Sequence, residues 1–242
     1  MIALTKVEII HPINEDLRFL RKLRRNLVMD FPDYHNVSRL SNNSSSHEKA
    51  LSAIGRLSPN DVVLFLCHGT TRALYGAEYR APYGAHPRRY VHSENHGYLI
   101  DKDNIDLLAE KKIICVACNS NSLSKLAIDA GATVFIGFDQ IDFDVREELL
   151  ADQKVRNSVS VWVKYGFRRS LQIALSMTIN ENLNFYQFKQ LLEISLNHHT
   201  DHLMLSTKDS AGRHYYKSAA LCLQQIRDGI QLDGDGNTKF LD

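Results

Sequence analysis

Three apolar runs rich in β-branched residues, "VVLFLC" (62–67), "KIICVA" (112–117) and "ATVFIGF" (132–138), constrain the fold of this chain more than any other feature. Nearly unbroken hydrophobicity over so few residues marks strands buried on both faces, and such strands belong to parallel sheets covered by helices. Between the last two runs, "NSLSKLAIDAGA" carries a helical stripe at Leu123, Leu126, Ala127 and Ala130, with Ser122 as the predicted cap and Gly131 as the stop. Upstream, "KVEII" (6–10) reads as a first strand and "NEDLRFLRKLRRNLVM" as a helix that Asn14 caps. "YHNVSRL" (34–40) is a weaker strand, "SNNSSSH" a loop and "EKALSAIGRL" a short helix. This alternation predicts an α/β fold with a mostly parallel central sheet and helices on both faces.

The length of 242 residues suits one large domain, and a single domain over 1–242 is expected. Residues 70–97, rich in Tyr, Arg and Gly, form a long excursion between two core strands and are expected to act as an insertion or lid. Residues 141–230 turn mainly helical, with "VSVWVKYGFRRSLQIALSM", "YQFKQLLEISLNHH" and "YKSAALCLQQIRDGI", and the tail "QLDGDGNTKFLD" reads as frayed. His198, His199 and the other scattered histidines are expected on the surface.

Charge removes several function classes. Lys and Arg number 29 against 28 Asp and Glu, so no global field draws the chain to nucleic acid or an anionic membrane. No window supplies the roughly 18 consecutive apolar residues of a membrane span, and "MIALTKVEIIHPINED" lacks the pattern of a secretory leader, so a cytoplasmic protein is expected. Cys67, Cys115, Cys118 and Cys222 sit in apolar segments, unlike a disulfide framework. Cys115 and Cys118 form the chain's one C-x-x-C, with Cys115 inside a strand, so no metal is expected. Asp233, Asp235 and Asn237 echo a calcium loop, but Thr238 stands where glycine is needed.

The chemistry lies where two strands stop. "DVVLFLCHGT" ends in His68 and Gly69, and "KIICVACNSNS" ends at Cys118. Functional groups of open parallel sheets lie beyond the carboxyl ends of the strands, so neighbouring strands would bring His68 and Cys118 to one rim. An imidazole that takes the thiol proton makes a nucleophile of Cys118, and the helix that follows adds a positive dipole end. Gly69, lacking a side chain, lets its N–H approach a tetrahedral oxygen, with the Cys118 N–H as second donor.

These residues, with "GYLIDKDNIDLLAEKKIICVACNSNSLSKLAIDAGATVFIGFDQI", resemble the caspase-like cysteine peptidases, most closely the bacterial CHAT branch. The likeness covers roughly residues 55–180. It implies a three-layer caspase-like sandwich, His68 as general base and later acid, Cys118 as nucleophile, and Gly69 with Cys118 as oxyanion donors. Asn119 and Asp139 would contact substrate. The sequence departs from the family at "VACNS", and Val116 stands where relatives that cut after Arg or Lys carry an acid. The resemblance further implies a protein or peptide substrate, no cofactor, and an activating or regulatory protein partner in a bacterial defence or signalling system. Two alternatives stay open: a silent caspase-like module that binds a partner through residues 70–97, and a cysteine hydrolase of non-peptide acyl bonds. With Glu78 and Glu94 in it, that segment suits a lid or protein docking better than a nucleic acid strand.

Overall fold

The computed structural model of the chain describes residues 5–41, 43–76, 98–141, 143, 153–206 and 213–241. The strands are β1 (Val7–Pro12), β2 (His35–Leu40), β3 (Val62–Leu66), β4 (His68–Gly69), β5 (Ala73–Tyr75), β6 (Ile100–Asp101), β7 (Lys112–Val116), β8 (Val134–Phe138) and β9 (Ile230–Gly234). The helices are α1 (Arg21–Asp30), α2 (Ser44–Gly55), α3 (Asn121–Asp129), α4 (Gln153–Asn180), α5 (Phe185–Leu205) and α6 (Arg213–Asp228). A six-stranded sheet runs in the order β2-β1-β3-β7-β8-β9, parallel except for β9, which pairs antiparallel with β8.

Side-chain alternation gives the sheet two apolar faces. Val7, Ile9, Leu64, Ile114 and Ile136 pack with α1, α4, α5 and α6, whereas Ile10, Phe65, Ile113 and Phe135 pack with α2, α3 and the 3-10 turn at Ile105–Leu108. The architecture is therefore α/β with a mostly parallel sheet between helical layers. On the first face, Phe138 meets Phe167 edge to face at 5.7 Å, and Phe143 and Phe19 continue the aromatic series toward the sheet rim.

Several expectations are corrected. Within the loop predicted at "SNNSSSH", residues 44–47 form the first turn of α2: Asn43 caps it by accepting the Ser46 N–H at 2.8 Å, a position that suits polar residues poor in helix interiors. Asn14 caps no helix, because the chain makes a 3-10 turn at Arg18–Leu20 before α1 begins. Ser122 lies inside α3, and Ser120 occupies the cap position with its hydroxyl turned elsewhere.

The tail is not frayed. β9 completes the sheet, and Phe240 is buried, stacked on Phe185 at 5.6 Å, with its carbonyl accepting from the buried Lys112 ammonium at 3.4 Å. Nor are all histidines superficial: His11 donates to the Leu17 carbonyl from within the core, and His35 lies buried beside the Phe31 carbonyl. The start of the excursion supplies β5, which pairs antiparallel with β4 before it and β6 after it, and of the 70–97 segment read as a lid or docking site, residues 77–97, with Glu78 and Glu94, lie outside the described residues. Among the described residues no helix is long and apolar enough to cross a membrane.

Candidate active site

β3 and β7 are adjacent and parallel, with Leu66 level with Val116, and the Cys67 N–H reaching the Val116 carbonyl at 3.3 Å extends the ladder by a step. His68 and Cys118 each follow two residues later, so they leave neighbouring strands at the same level, where strand spacing is about 4.8 Å. A two-residue step also returns Cys118 to the face of Ile114 and Val116, beneath α1 and α4.

The turn that carries the thiol is tightly tied. The Ala117 N–H bonds the Cys115 carbonyl at 3.0 Å, the Ser120 N–H bonds the Ala117 carbonyl at 3.3 Å, and Asn119 adopts φ +55, a left-handed conformation that asparagine tolerates. The fully buried Ser120 hydroxyl donates to the Cys115 carbonyl at 2.8 Å and accepts the Phe138 N–H at 2.9 Å, stitching the ends of β7 and β8. α3 starts three residues after Cys118, so the thiol lies near a helix N-terminus. The Sγ–H donates to the Ile141 carbonyl at 3.7 Å.

Gly69 is pressed against that turn: a Cβ there would lie 2.5 Å from the Cys118 carbonyl oxygen and 3.0 Å from Ala117 Cβ. In the β4–β5 ladder the Thr70 N–H bonds Ala73, so Thr70 and Ala73 form a hydrogen-bonded pair and the next position, Gly69 opposite Leu74, does not. Leu74 accordingly turns its carbonyl to Leu99 on the far side. The Gly69 N–H thus points away from β5.

On the other flank of β3, Asn14 in the connection after β1 places its Nδ2 3.1 Å from His68 Nε2, while its Oδ1 accepts the Asp16 N–H at 2.7 Å. The rim opens into a cleft of about 250 Å³ floored by His68, Cys118 and Val116 and walled by Asp16, Leu17, Phe19, Ile141, Phe143 and Lys164. The Lys164 ammonium sits over the rings of Phe19 and Phe143, at 6.0 and 5.7 Å, so among the described residues the Asp16 carboxylate and the Lys164 ammonium border the site. A larger apolar groove of about 530 Å³ between α4 and α5, lined by Trp162, Tyr165 and His199, holds neither dyad residue.

Chemistry separates the thiols. Burial first, then the neighbouring thiols of Cys115 and Cys118, pushes Cys67 well above the ordinary thiol value and keeps it protonated. Cys115 is fully buried on the opposite sheet face, and among the described residues no three His, Cys, Asp or Glu side chains converge to hold a metal.

The chain matches no family model, no curated protein and no solved structure. The site therefore rests on its own geometry. His68, Gly69 and Cys118 come together, whereas Asn119 and Asp139 do not line the cleft; they bond each other through the Asn119 N–H and the Asp139 carbonyl at 3.0 Å. Sequence reasoning missed Asn14, Lys164 and Ser120. The rule that placed His68 beyond β3 also covers the residues after β1, where Asn14 was read as a helix cap.

Proposed function

We propose that the chain is a caspase-like cysteine endopeptidase in which His68 activates Cys118. The observation that carries this reading is the level placement of the imidazole and thiol on adjacent parallel strands, with a side-chain-free Gly69 packed against the Cys118 backbone. In the reaction, His68 takes the thiol proton and Sγ attacks the substrate carbonyl carbon. The tetrahedral oxygen is held by the N–H groups of Gly69 and Cys118. Collapse breaks the C–N bond as His68 returns its proton to the departing amine, leaving an acyl-enzyme. Water, deprotonated by His68, then cleaves the S–C bond and frees the acid. The cleft floor next to the thiol accommodates a peptide side chain between Asp16 and Lys164, and an activating protein partner fits the same reading.

A peptidyl acyloxymethyl ketone tests it by intact-protein and peptide mass spectrometry. One adduct on Cys118 is expected, abolished by Cys118→Ala and retained by Cys67→Ala and Cys115→Ala. His68→Ala slows labelling by about 10²-fold or more. Equal labelling of the three thiols contradicts the assignment.

A further inference from the structure

We infer that the Asn14 side-chain amide sets the tautomer of His68 and thereby switches the dyad between a resting and a competent form; this rests on the dyad proposed above. A backbone N–H can only donate, so the 2.7 Å contact from the Asp16 N–H fixes which end of the Asn14 amide is oxygen. The end facing His68 Nε2 at 3.1 Å is therefore the amino group, and Nε2 must accept. An imidazole that accepts at Nε2 carries its proton on Nδ1.

β1 and β7 flank β3 on opposite sides, so Asn14 engages the ring through Nε2 from the β1 side, and the proposed exchange with Cys118 on the β7 side runs through Nδ1. Protonated, Nδ1 cannot take the thiol hydrogen. The thiol accordingly holds its hydrogen and donates it to the Ile141 carbonyl.

Rotation of the amide by a half turn reverses every role. Oδ1 then accepts from Nε2–H, the imidazole proton moves from Nδ1 to Nε2, and Nδ1 becomes the base that receives the Cys118 proton. The imidazolium so formed, with hydrogens on both nitrogens, is tolerated only in this orientation. The half turn breaks the Asp16 bond, which keeps the resting form favoured. Asn14 is thus a positioning residue acting through His68. Among the described residues, the other titratable groups around the ring are Asp16 on the same connection, Cys67 and Cys118 at the strand ends, Tyr75 opposite on β5 and Lys164 on α4.

The test is the pH profile of Cys118 alkylation by iodoacetamide, read by peptide mass spectrometry, in the wild type, Asn14→Asp and Asn14→Leu. A carboxylate only accepts, so Asn14→Asp enforces the competent form: its inflection falls by at least one pH unit and its rate at pH 7 rises about tenfold. Asn14→Leu removes the donor without supplying an acceptor and shifts less. In a His68→Ala background the Asp effect disappears, which separates tautomer control from direct action of the new charge on the thiol. The inference is overturned by an Asn14→Asp profile superimposed on the wild type, by equal shifts in the Asp and Leu variants, or by an effect that survives without His68. Peptide cleavage is scored in parallel. Altered alkylation without cleavage would retain the switch and overturn the peptidase reading, and cleavage with unaltered alkylation would do the reverse.

Discussion

Gly69→Ala puts the geometry of the rim under direct strain. The new Cβ would stand 2.5 Å from the Cys118 carbonyl oxygen, where ordinary contact begins at 3.4 Å, so about 0.9 Å must be found. Neither side yields easily. The carbonyl belongs to a turn fixed by Ser120 and by the Asn119 N–H, and Gly69 is fixed by its pairing in β4–β5. Overpacking of this kind costs about 1–3 kcal/mol of stability, and displacement of a reacting group by about 1 Å costs about 10²-fold in rate. Urea unfolding gives the first quantity, and Cys118 alkylation with peptide turnover gives the second. Gly55→Ala is the control: at the end of α2 its Cβ would meet only Leu107 at 3.8 Å, so stability holds or rises slightly. A Gly69→Ala protein with parental stability and turnover within threefold of the parent would refute the close packing of Gly69 against the Cys118 turn.

Ser120→Ala leaves the Phe138 N–H without its hydroxyl partner in the core, whereas the Cys115 carbonyl keeps the Ala117 N–H; a urea-measured loss of about 1–3 kcal/mol is expected, and a loss below about 0.5 kcal/mol would show that another group satisfies the Phe138 N–H. His11 is held down to about 4, first by burial and then by Arg24, with Arg21 and Arg39 adding to it. Between pH 6.5 and 4 the unfolded chain therefore binds more protons than the native one, so stability falls with pH by about 3 kcal/mol across that window. His11→Gln, which keeps a donor for Leu17, should flatten this slope in urea titrations at pH 7 and pH 4.5, whereas an unchanged slope would assign the acid sensitivity elsewhere.

The buried parallel strands were legible because burial on both faces leaves an uninterrupted apolar signature at Val62–Leu66, Lys112–Val116 and Val134–Phe138. His68 and Cys118 were legible for the same reason, since they end those runs. β9 was not: "IQLDG" has few apolar residues, and an antiparallel edge strand at the end of a sheet needs only one covered face. The contact of Asn14 with His68 was hidden because it joins residues 54 positions apart through a connection without regular structure. Ser122 was read as the cap of α3 in place of Ser120, whose hydroxyl turns inward where β7 and β8 meet. Lys164 reached the cleft from α4, whose position over the sheet no local pattern encodes.

In the proposed reaction His68 and Cys118 cut peptide bonds together. Its most direct test is a mass-spectrometric cleavage profile on a diverse peptide mixture, comparing the wild type and Asn14→Asp with Cys118→Ala and His68→Ala. Cuts that share a residue before the scissile bond are expected, increased in Asn14→Asp and absent from the other two variants. Cuts that persist without Cys118, or no cuts by either the wild type or Asn14→Asp, would contradict it.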